Sequence, residues 1–176
     1  MPLARRRALP HDPPLSIRTA DATFFLTICC EPRGQNQLCD PELARQLFDS
    51  VAFYNASGHW WVEFALLMPD HLHMLASFPS TAVSEKPPHQ TTPGRARSPN
   101  APHRSSTMAG AVAAWKRYTA RQCGLHWQRD FFDHRLRGDE SLRDKEQYIR
   151  QNPVRAGLVK DANEWPYVWW PEREIR

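Results

Sequence analysis

Two apolar segments that are separated by only two residues constrain this fold more than any other feature of the sequence. The segments are Trp60–Met68 and His71–Phe78, and Pro69-Asp70 lies between them. Aromatic and aliphatic residues dominate both segments, which is typical of buried strands. Because Pro-Asp is a tight break, we predict that the two strands pair as a hairpin.

The other apolar segments alternate between strand and helix patterns. Thr23–Ile28 is β-branched and aromatic and predicts a buried strand. Asp40-Pro41 has an N-cap residue followed by a proline suited to the first helical position, so a helix is expected to about Ser57. Three further elements follow, namely a helix over Met108–Cys123, an edge strand over Trp127–Leu136 and a helix from the N-cap Ser141 to Asn152-Pro153.

This β-α-β-β-α-β-α order predicts an α+β protein with a four-stranded antiparallel sheet and two helices on one face. Residues 79–106 contain six prolines and almost no apolar residues, so we interpret them as a flexible insertion. Residues 1–22 are expected to form an extended basic arm, and residues 161–176 an aromatic tail of loop and short helix.

Length and composition exclude several classes of protein. The 176 residues suit one domain, and no apolar run approaches the roughly 20 residues that span a bilayer. No C-x-x-C pair occurs among the four cysteines, which favours free thiols in a reducing cytoplasm. No apolar stretch follows the N-terminal arginines, so a secretory signal is not expected.

The positive charge is concentrated in two places. The net charge is +4, and residues 79–126 hold seven basic residues against Glu85 alone. The N-terminal arm adds Arg5, Arg6 and Arg7. Such a distribution suits a surface that binds a polyanion, although solvated basic loops would produce the same pattern.

His71 and His73 are two residues apart on a predicted strand, so their imidazoles point to the same face. Two nitrogen donors on one rigid strand could supply half of a metal site. Leu72, Met74 and Leu75 are expected to anchor this strand in the core. Two histidines on a solvent-facing side would show the same spacing, so the motif alone leaves both interpretations open.

Tyr148 and Asn152 are four residues apart in a predicted helix and would share a face. A phenol and a carboxamide there could supply a nucleophile and a third metal ligand. Ile149 lies off that face and is expected to hold the helix against the sheet. The alternative is a structural tyrosine near a helix end that Asn152 caps.

Together these motifs resemble the HUH single-tyrosine transposases, and among them the REP-associated tyrosine transposases of bacterial chromosomes. The resemblance rests on three blocks, M-P-D-H-L-H-M-L at 68–75, W-Q-R-D-F-F-D-H-R-L-R at 127–137 and Y-I-R-Q-N-P-V-R-A-G-L-V at 148–159. It covers most of the chain except residues 79–106.

The resemblance implies a ferredoxin-like sheet in a catalytic domain over residues 23–160, with a catalytic C-terminal helix. It implies that Tyr148 is the nucleophile and that His71, His73 and Asn152 bind a divalent metal ion, with Gln151 as a competing ligand. It also implies Mg or Mn as the metal, whereas two imidazoles suit Zn or Mn by ligand softness.

The implied substrate is single-stranded DNA with a REP-like hairpin, which is cleaved and rejoined through a 5′-phosphotyrosine. The resemblance further implies a bacterial cytoplasmic protein at the nucleoid, with no membrane partner and no small-molecule cofactor. A monomer is favoured over the homodimer that insertion-sequence relatives form. Candidate DNA contacts are Arg5, Arg6, Arg7, Lys116, Arg117 and Arg121, with Arg95, Arg97 and Arg104 as electrostatic additions.

Other interpretations remain open at this point. Lys116, Arg117 and Arg121 could form a solvated helix face. The chain could be a hairpin-binding module that does not cleave, or a metal phosphodiesterase in which water attacks. A final group of aromatic residues is predicted to cover the sheet as core rather than to stack on bases: Trp165, Tyr167, Trp169 and Trp170.

Overall fold

A computed structural model describes residues 22–79, 107–136 and 141–171 of the protein. Two groups of predicted DNA contacts lie outside the described residues, Arg5, Arg6 and Arg7 in the arm and Arg95, Arg97 and Arg104 in the Pro-rich segment. Within the described ranges, no helix has the length and apolar character needed to cross a membrane.

In the described part of the chain, five antiparallel strands form one sheet. They are β1 (Thr23–Cys29), β2 (Trp61–Met68), β3 (His71–Ser77), β4 (Phe132–Arg135) and β5 (Val168–Trp169). Their order across the sheet is β4-β1-β3-β2-β5. The predicted α+β class, the β2–β3 hairpin and the edge position of β4 are confirmed, and the first four strands have the ferredoxin-like order.

Local capping sets the bounds of the two long helices. Helix α1 (Pro41–Ala56) begins where the Asp40 side chain accepts hydrogen bonds from the backbone N–H groups of the first turn. Helix α2 (Met108–Cys123) ends at Gly124, whose φ of +67° lies in the left-handed region that favours glycine. Both helices therefore match their predicted bounds closely.

The sheet separates two apolar cores. Helices α1 and α2 cover one face, beneath which Leu72 and Met74 are buried in the larger core. Leu75 points to the opposite face and joins the smaller core together with Ile149 and Trp165. Strand β3 is thus anchored on both sides, as predicted, and Ile149 holds the C-terminal part of the chain against the second face.

Strand β4 is shorter than the predicted strand over Trp127–Leu136. Only Phe132–Arg135 pairs with β1, while Trp127 forms an isolated bridge with Cys30. The Trp127 indole is drawn towards α2, where its ring centroid lies 5.3 Å from that of Trp115. Packing on the helix therefore replaces strand pairing over the first part of the segment.

The C-terminal segment contributes a strand that the sequence analysis did not predict. After a short 3-10 helix at Ala162–Glu164, β5 pairs with the outer edge of β2. A strand of two residues carries no alternation that a sequence pattern could reveal. The sheet consequently has five strands instead of the predicted four.

Lys116 is buried, which argues against its predicted role as a DNA contact. Only 9% of its surface is exposed, and its ammonium group donates hydrogen bonds to the backbone carbonyls of Gln128 and Arg129. The side chain therefore holds the segment between α2 and β4 in place. Arg117 and Arg121 are exposed on the same helix.

Replacing Lys116 with methionine is expected to lower the free energy of unfolding by about 1–3 kcal/mol, because it leaves two carbonyl groups without their donor. DNA affinity and its salt dependence are expected to change little. Urea unfolding and DNA titrations at about 50 and about 200 mM salt measure the two effects. A smaller salt slope with unchanged stability would restore Lys116 as a phosphate contact.

Candidate active site

His71 and His73 bring their imidazoles together on one face of β3. Their Nε2 atoms lie 3.1 Å apart, and their ring centroids are separated by 4.6 Å. The placement on one face that the two-residue spacing predicts is therefore confirmed. Because this face carries the smaller core, the pair lies on the side of the sheet that α1 and α2 leave uncovered.

The second nitrogen of each imidazole is held by a neighbouring side chain. Nδ1 of His71 lies 2.6 Å from Oδ1 of Asp70, and Nδ1 of His73 lies 3.0 Å from Oγ1 of Thr27. Such contacts orient the rings and determine which nitrogen remains available to a ligand. In both residues that nitrogen is Nε2, so the two rings point to a common position.

Asp70 is a member of this site that the sequence analysis missed. Its Oδ2 accepts a hydrogen bond from the backbone N–H of Gly34 at 2.7 Å and forms an ion pair with Nε of Arg33 at 2.9 Å. Burial raises the pKa of Asp70, but hydrogen bonds from Gly34 and His71 and the charge of Arg33 lower it further than burial raises it. An anionic Asp70 therefore orients His71, and its position next to His71 in the sequence was the available signal.

Burial keeps both imidazoles neutral near pH 7. It lowers the pKa of His73 to about 3, and the charges of His71, Arg155 and Arg33 act in the same direction. Burial also lowers the pKa of His71, even though Asp70 opposes this effect. Neutral imidazole is the form that binds a metal ion, so both rings already have the charge that coordination requires. The hydrogen bond between their Nε2 atoms has to open when an ion binds.

The same pKa shifts predict that the metal-free protein loses stability in mild acid. Below its ordinary pKa of 6.5, His73 takes up a proton in the unfolded chain, whereas the folded protein excludes that proton down to about pH 3. The free energy of unfolding should therefore fall by about 1.4 kcal/mol per pH unit for such an imidazole as the pH drops below this range. Urea unfolding in chelator between about pH 7 and about pH 5 measures the slope. In the variant His73→Gln the slope should decrease by the amount that corresponds to the uptake of one proton. An unchanged slope would contradict the assignment of this pH dependence to His73.

The histidine pair fits two positions in the coordination shell of a divalent ion. Metal–nitrogen bonds of about 2.1 Å that meet at roughly a right angle place two nitrogens about 3.0 Å apart, close to the 3.1 Å between the Nε2 atoms. Within the described part of the chain, His, Cys, Asp and Glu residues form no group of three that could hold a metal ion. An amide oxygen or a phosphate oxygen of a substrate could complete such a shell.

Tyr148 lies on helix α3 (Leu142–Arg150), which packs on the same face of the sheet through Ile149, and 54% of its surface is exposed. The ammonium group of Lys145 is 5.8 Å from the ring centroid of Phe25 and 5.6 Å from that of Tyr148. The Phe25 ring in turn lies 5.2 Å from the His73 ring, measured between centroids. These contacts place the tyrosine and the imidazoles around one patch of the sheet.

The structure contradicts the prediction that Tyr148 and Asn152 share a face of one helix. Helix α3 ends at Arg150, Gln151 is its C-cap, and Asn152 begins a separate short helix, α4 (Asn152–Arg155). Pro153 has no backbone N–H and cannot extend the hydrogen-bond ladder of α3, so the chain turns here. The roles of Asn152 and Gln151 as metal ligands remain predictions.

Arg155 connects Tyr148 with Asn152 across this turn. One of its Nη atoms donates to the backbone carbonyl of Tyr148 at 2.6 Å and also to Oδ1 of Asn152. Its guanidinium carbon lies 4.3 Å from the Tyr148 ring centroid, in a cation–π contact. Sequence reasoning assigned no function to Arg155, although it lies in the block that carries the family resemblance.

The structure does not bring the other predicted DNA contacts to this site. Arg117 and Arg121 lie on α2, which packs on the opposite face of the sheet. Among the C-terminal aromatic residues, Trp165 is buried in the smaller core, as predicted, whereas Trp170 is 37% exposed. Tyr167 and Trp169 are partly buried against the cores.

Comparisons with known proteins agree in sequence and in fold. No model of a protein family matches the chain. A Haemophilus influenzae protein that is provisionally named a REP-associated tyrosine transposase is 27% identical over 159 residues, which cover 85% of this chain and 80% of that protein. The REP-associated tyrosine transposase of Escherichia coli is 37% identical over 54 residues, or 30% of this chain and 33% of that protein.

A solved structure of a REP-associated tyrosine transposase bound to a REP hairpin has the same fold. It superposes with a TM-score of 0.63 at 20% sequence identity, covering 96% of this chain and 82% of the other. In sequence and in fold the chain is thus a relative of the REP-associated tyrosine transposases, which confirms the resemblance carried by its motifs.

Proposed function

We propose that this protein is a metal-dependent endonuclease and strand transferase that cleaves and rejoins single-stranded DNA beside a hairpin. The observation that carries the proposal is the convergence of the two Nε2 atoms, 3.1 Å apart, on the sheet face against which the helix of Tyr148 packs. Its relationship to tyrosine transposases supports a DNA-processing enzyme.

His71 and His73 would hold the divalent ion, for which we propose Mg or Mn. Such an ion would polarise a non-bridging oxygen of the scissile phosphate and stabilise the negative charge of the transition state. Asp70 and Thr27 keep the two rings in place. Asn152 could complete the protein ligands only if its Oδ1 exchanged the hydrogen bond from Arg155 for the ion.

Tyr148 would act as the nucleophile. Its phenolic oxygen forms a bond to phosphorus while the bond from phosphorus to the 3′-oxygen breaks, and the phenolic proton is lost as the departing 3′-oxygen gains one. The products are a 5′-phosphotyrosine and a free 3′-hydroxyl. Because the phosphotyrosine conserves the bond energy, a second 3′-hydroxyl can reseal the strand by the reverse reaction without ATP.

The proposed partner is DNA that carries a REP-like hairpin, since the structural relative is bound to a REP hairpin. Cationic groups around the candidate site, from Arg33, Lys145 and Arg155, suit a phosphate backbone. We extend the proposal to DNA contacts by Arg5, Arg6 and Arg7 and to a protein that acts as a monomer at the bacterial nucleoid.

The test is incubation of the protein with end-labelled hairpin DNA that carries single-stranded flanks, with and without Mn²⁺. The proposal predicts a covalent protein–DNA adduct on a denaturing gel, formed only with the metal and dissolved when a strand with a free 3′-hydroxyl is added. Adduct formation without metal would contradict the role of the histidine pair.

Two other outcomes would replace the proposal. Tight binding of the hairpin without cleavage under all metal conditions would indicate a hairpin-binding module. Cleavage that yields free ends and never an adduct would indicate a metal phosphodiesterase in which water attacks.

A further inference from the structure

Two phenylalanines extend from the histidine pair towards the edge of the sheet. Phe132 on β4 pairs in register with Thr27 on β1, the residue that contacts His73. The ring centroids of Phe132 and Phe25 are 6.3 Å apart with the rings edge to face, and Phe25 lies 5.2 Å from the His73 ring. The aromatic row therefore leads from the strand edge to the imidazoles.

Phe132 is exposed although it lies in an ordered strand. Its neighbour Phe131 packs against the larger core, because adjacent residues of an extended chain point to opposite faces. Phe132 thus emerges on the histidine face, where 53% of its surface is in contact with solvent. On this face its ring contacts Phe25 at one edge and leaves much of its surface accessible to a ligand.

The charge around this row suits a nucleotide. The Lys145 ammonium group lies over the Phe25 ring and also over the Tyr148 ring. An unpaired base needs an aromatic surface, and the phosphate attached to it needs a cation within one nucleotide of that surface. The row provides both, next to the tyrosine that is proposed to attack.

We propose that the exposed ring of Phe132, supported edge to face by Phe25, is a stacking platform for one unpaired nucleobase next to the scissile phosphate. The platform would hold that nucleotide so that its phosphate lies between Tyr148 and the imidazoles. This inference rests on the proposed function for the identity of the ligand, single-stranded DNA, but it concerns binding and can be tested without cleavage.

The first measurement compares Phe132→Ala with Phe53→Ala. Phe53 is a matched control because it is 58% exposed and also makes a single edge contact, with Tyr54, but lies on α1 on the other face. Stacking on aromatic rings predicts that Phe132→Ala weakens binding to the flanked hairpin about tenfold. Phe53→Ala should leave affinity unchanged, and Phe132→Tyr should retain it.

The second measurement identifies the base. Abasic sites are placed one at a time along the single-stranded flanks, and each DNA is titrated with wild-type protein and with Phe132→Ala in chelator. At one position, an abasic site should weaken binding to the wild-type protein about tenfold. The same abasic site should cause no further loss of affinity in Phe132→Ala, because the base and the ring take part in the same contact. Additive losses at every position would overturn the platform.

A second copy of the chain is the other possible occupant of the exposed edge. Sedimentation of the DNA-free protein distinguishes it, since a wild-type dimer that Phe132→Ala converts to a monomer would overturn the proposal. The adduct assay reports separately on the proposed function. If the effects of Phe132→Ala and of one abasic site were coupled but no adduct formed, the platform would stand and the cleavage chemistry would be rejected. If adducts formed without such coupling, the cleavage chemistry would stand and the platform would be rejected.

Discussion

Replacing Tyr148 with phenylalanine is expected to abolish the covalent adduct and to reduce DNA cleavage by on the order of 1,000-fold or more. The substitution removes only the hydroxyl oxygen, and the ring keeps its contacts with Arg155 and Lys145. Binding of the hairpin should therefore stay close to that of the wild type. The adduct is measured on denaturing gels, and affinity by titration of the same labelled DNA.

Tyr118→Phe is the matched control for this variant. Tyr118 is 44% exposed, against 54% for Tyr148, but it lies on α2 on the opposite side of the sheet. The Tyr118→Phe variant should cleave DNA at the wild-type rate. If Tyr148→Phe retained cleavage while Tyr118→Phe lost it, the nucleophile would have to be sought on the other face.

The second large effect is expected from His71→Gln. The change removes one of the two nitrogens that converge at 3.1 Å and should weaken Mn²⁺ binding by on the order of 100-fold. Cleavage at low Mn²⁺ should fall by a similar factor and recover in part at high Mn²⁺, because His73 remains. Calorimetric titration with Mn²⁺ and the metal dependence of the cleavage rate measure the two quantities.

His126→Gln serves as the control, since the His126 side chain is exposed and the residue follows α2, where its carbonyl accepts a hydrogen bond from Glu31. The cleavage rate of the His126→Gln variant should depend on the Mn²⁺ concentration in the same way as that of the wild type. Equal metal dependence in His71→Gln would show that the imidazole pair is not the metal site, whatever the tyrosine does.

Features with a strong local cause were predictable from the sequence. The Asp40 cap and Gly124 determine helix ends within a few residues, and the Pro69-Asp70 break forces the hairpin. The placement of His71 and His73 on one face follows from the two-residue period of a strand. The buried position of Ile149 follows from its angle on the helix relative to Tyr148.

Features that depend on distant partners were not predictable. Lys116 has the positive charge expected of a DNA contact, but its ammonium group is held in the interior by two backbone carbonyls of the segment after α2. The predicted face shared by Tyr148 and Asn152 is absent because the helix ends before Pro153, and Arg155 rather than helical geometry joins the two residues. Strand β5 exists because the edge of β2 is available to pair with it.

The amino-acid order alone determined the strand and helix periods, the hairpin and the pairing of two imidazoles on one side of a strand, because these depend on neighbours a few residues apart. Tertiary structure decided which face receives the tyrosine helix, which cation is buried and which phenylalanine of the Phe131-Phe132 pair meets solvent. Those outcomes depend on side chains far apart in the chain, whose burial and hydrogen bonds are defined only once the sheet has formed.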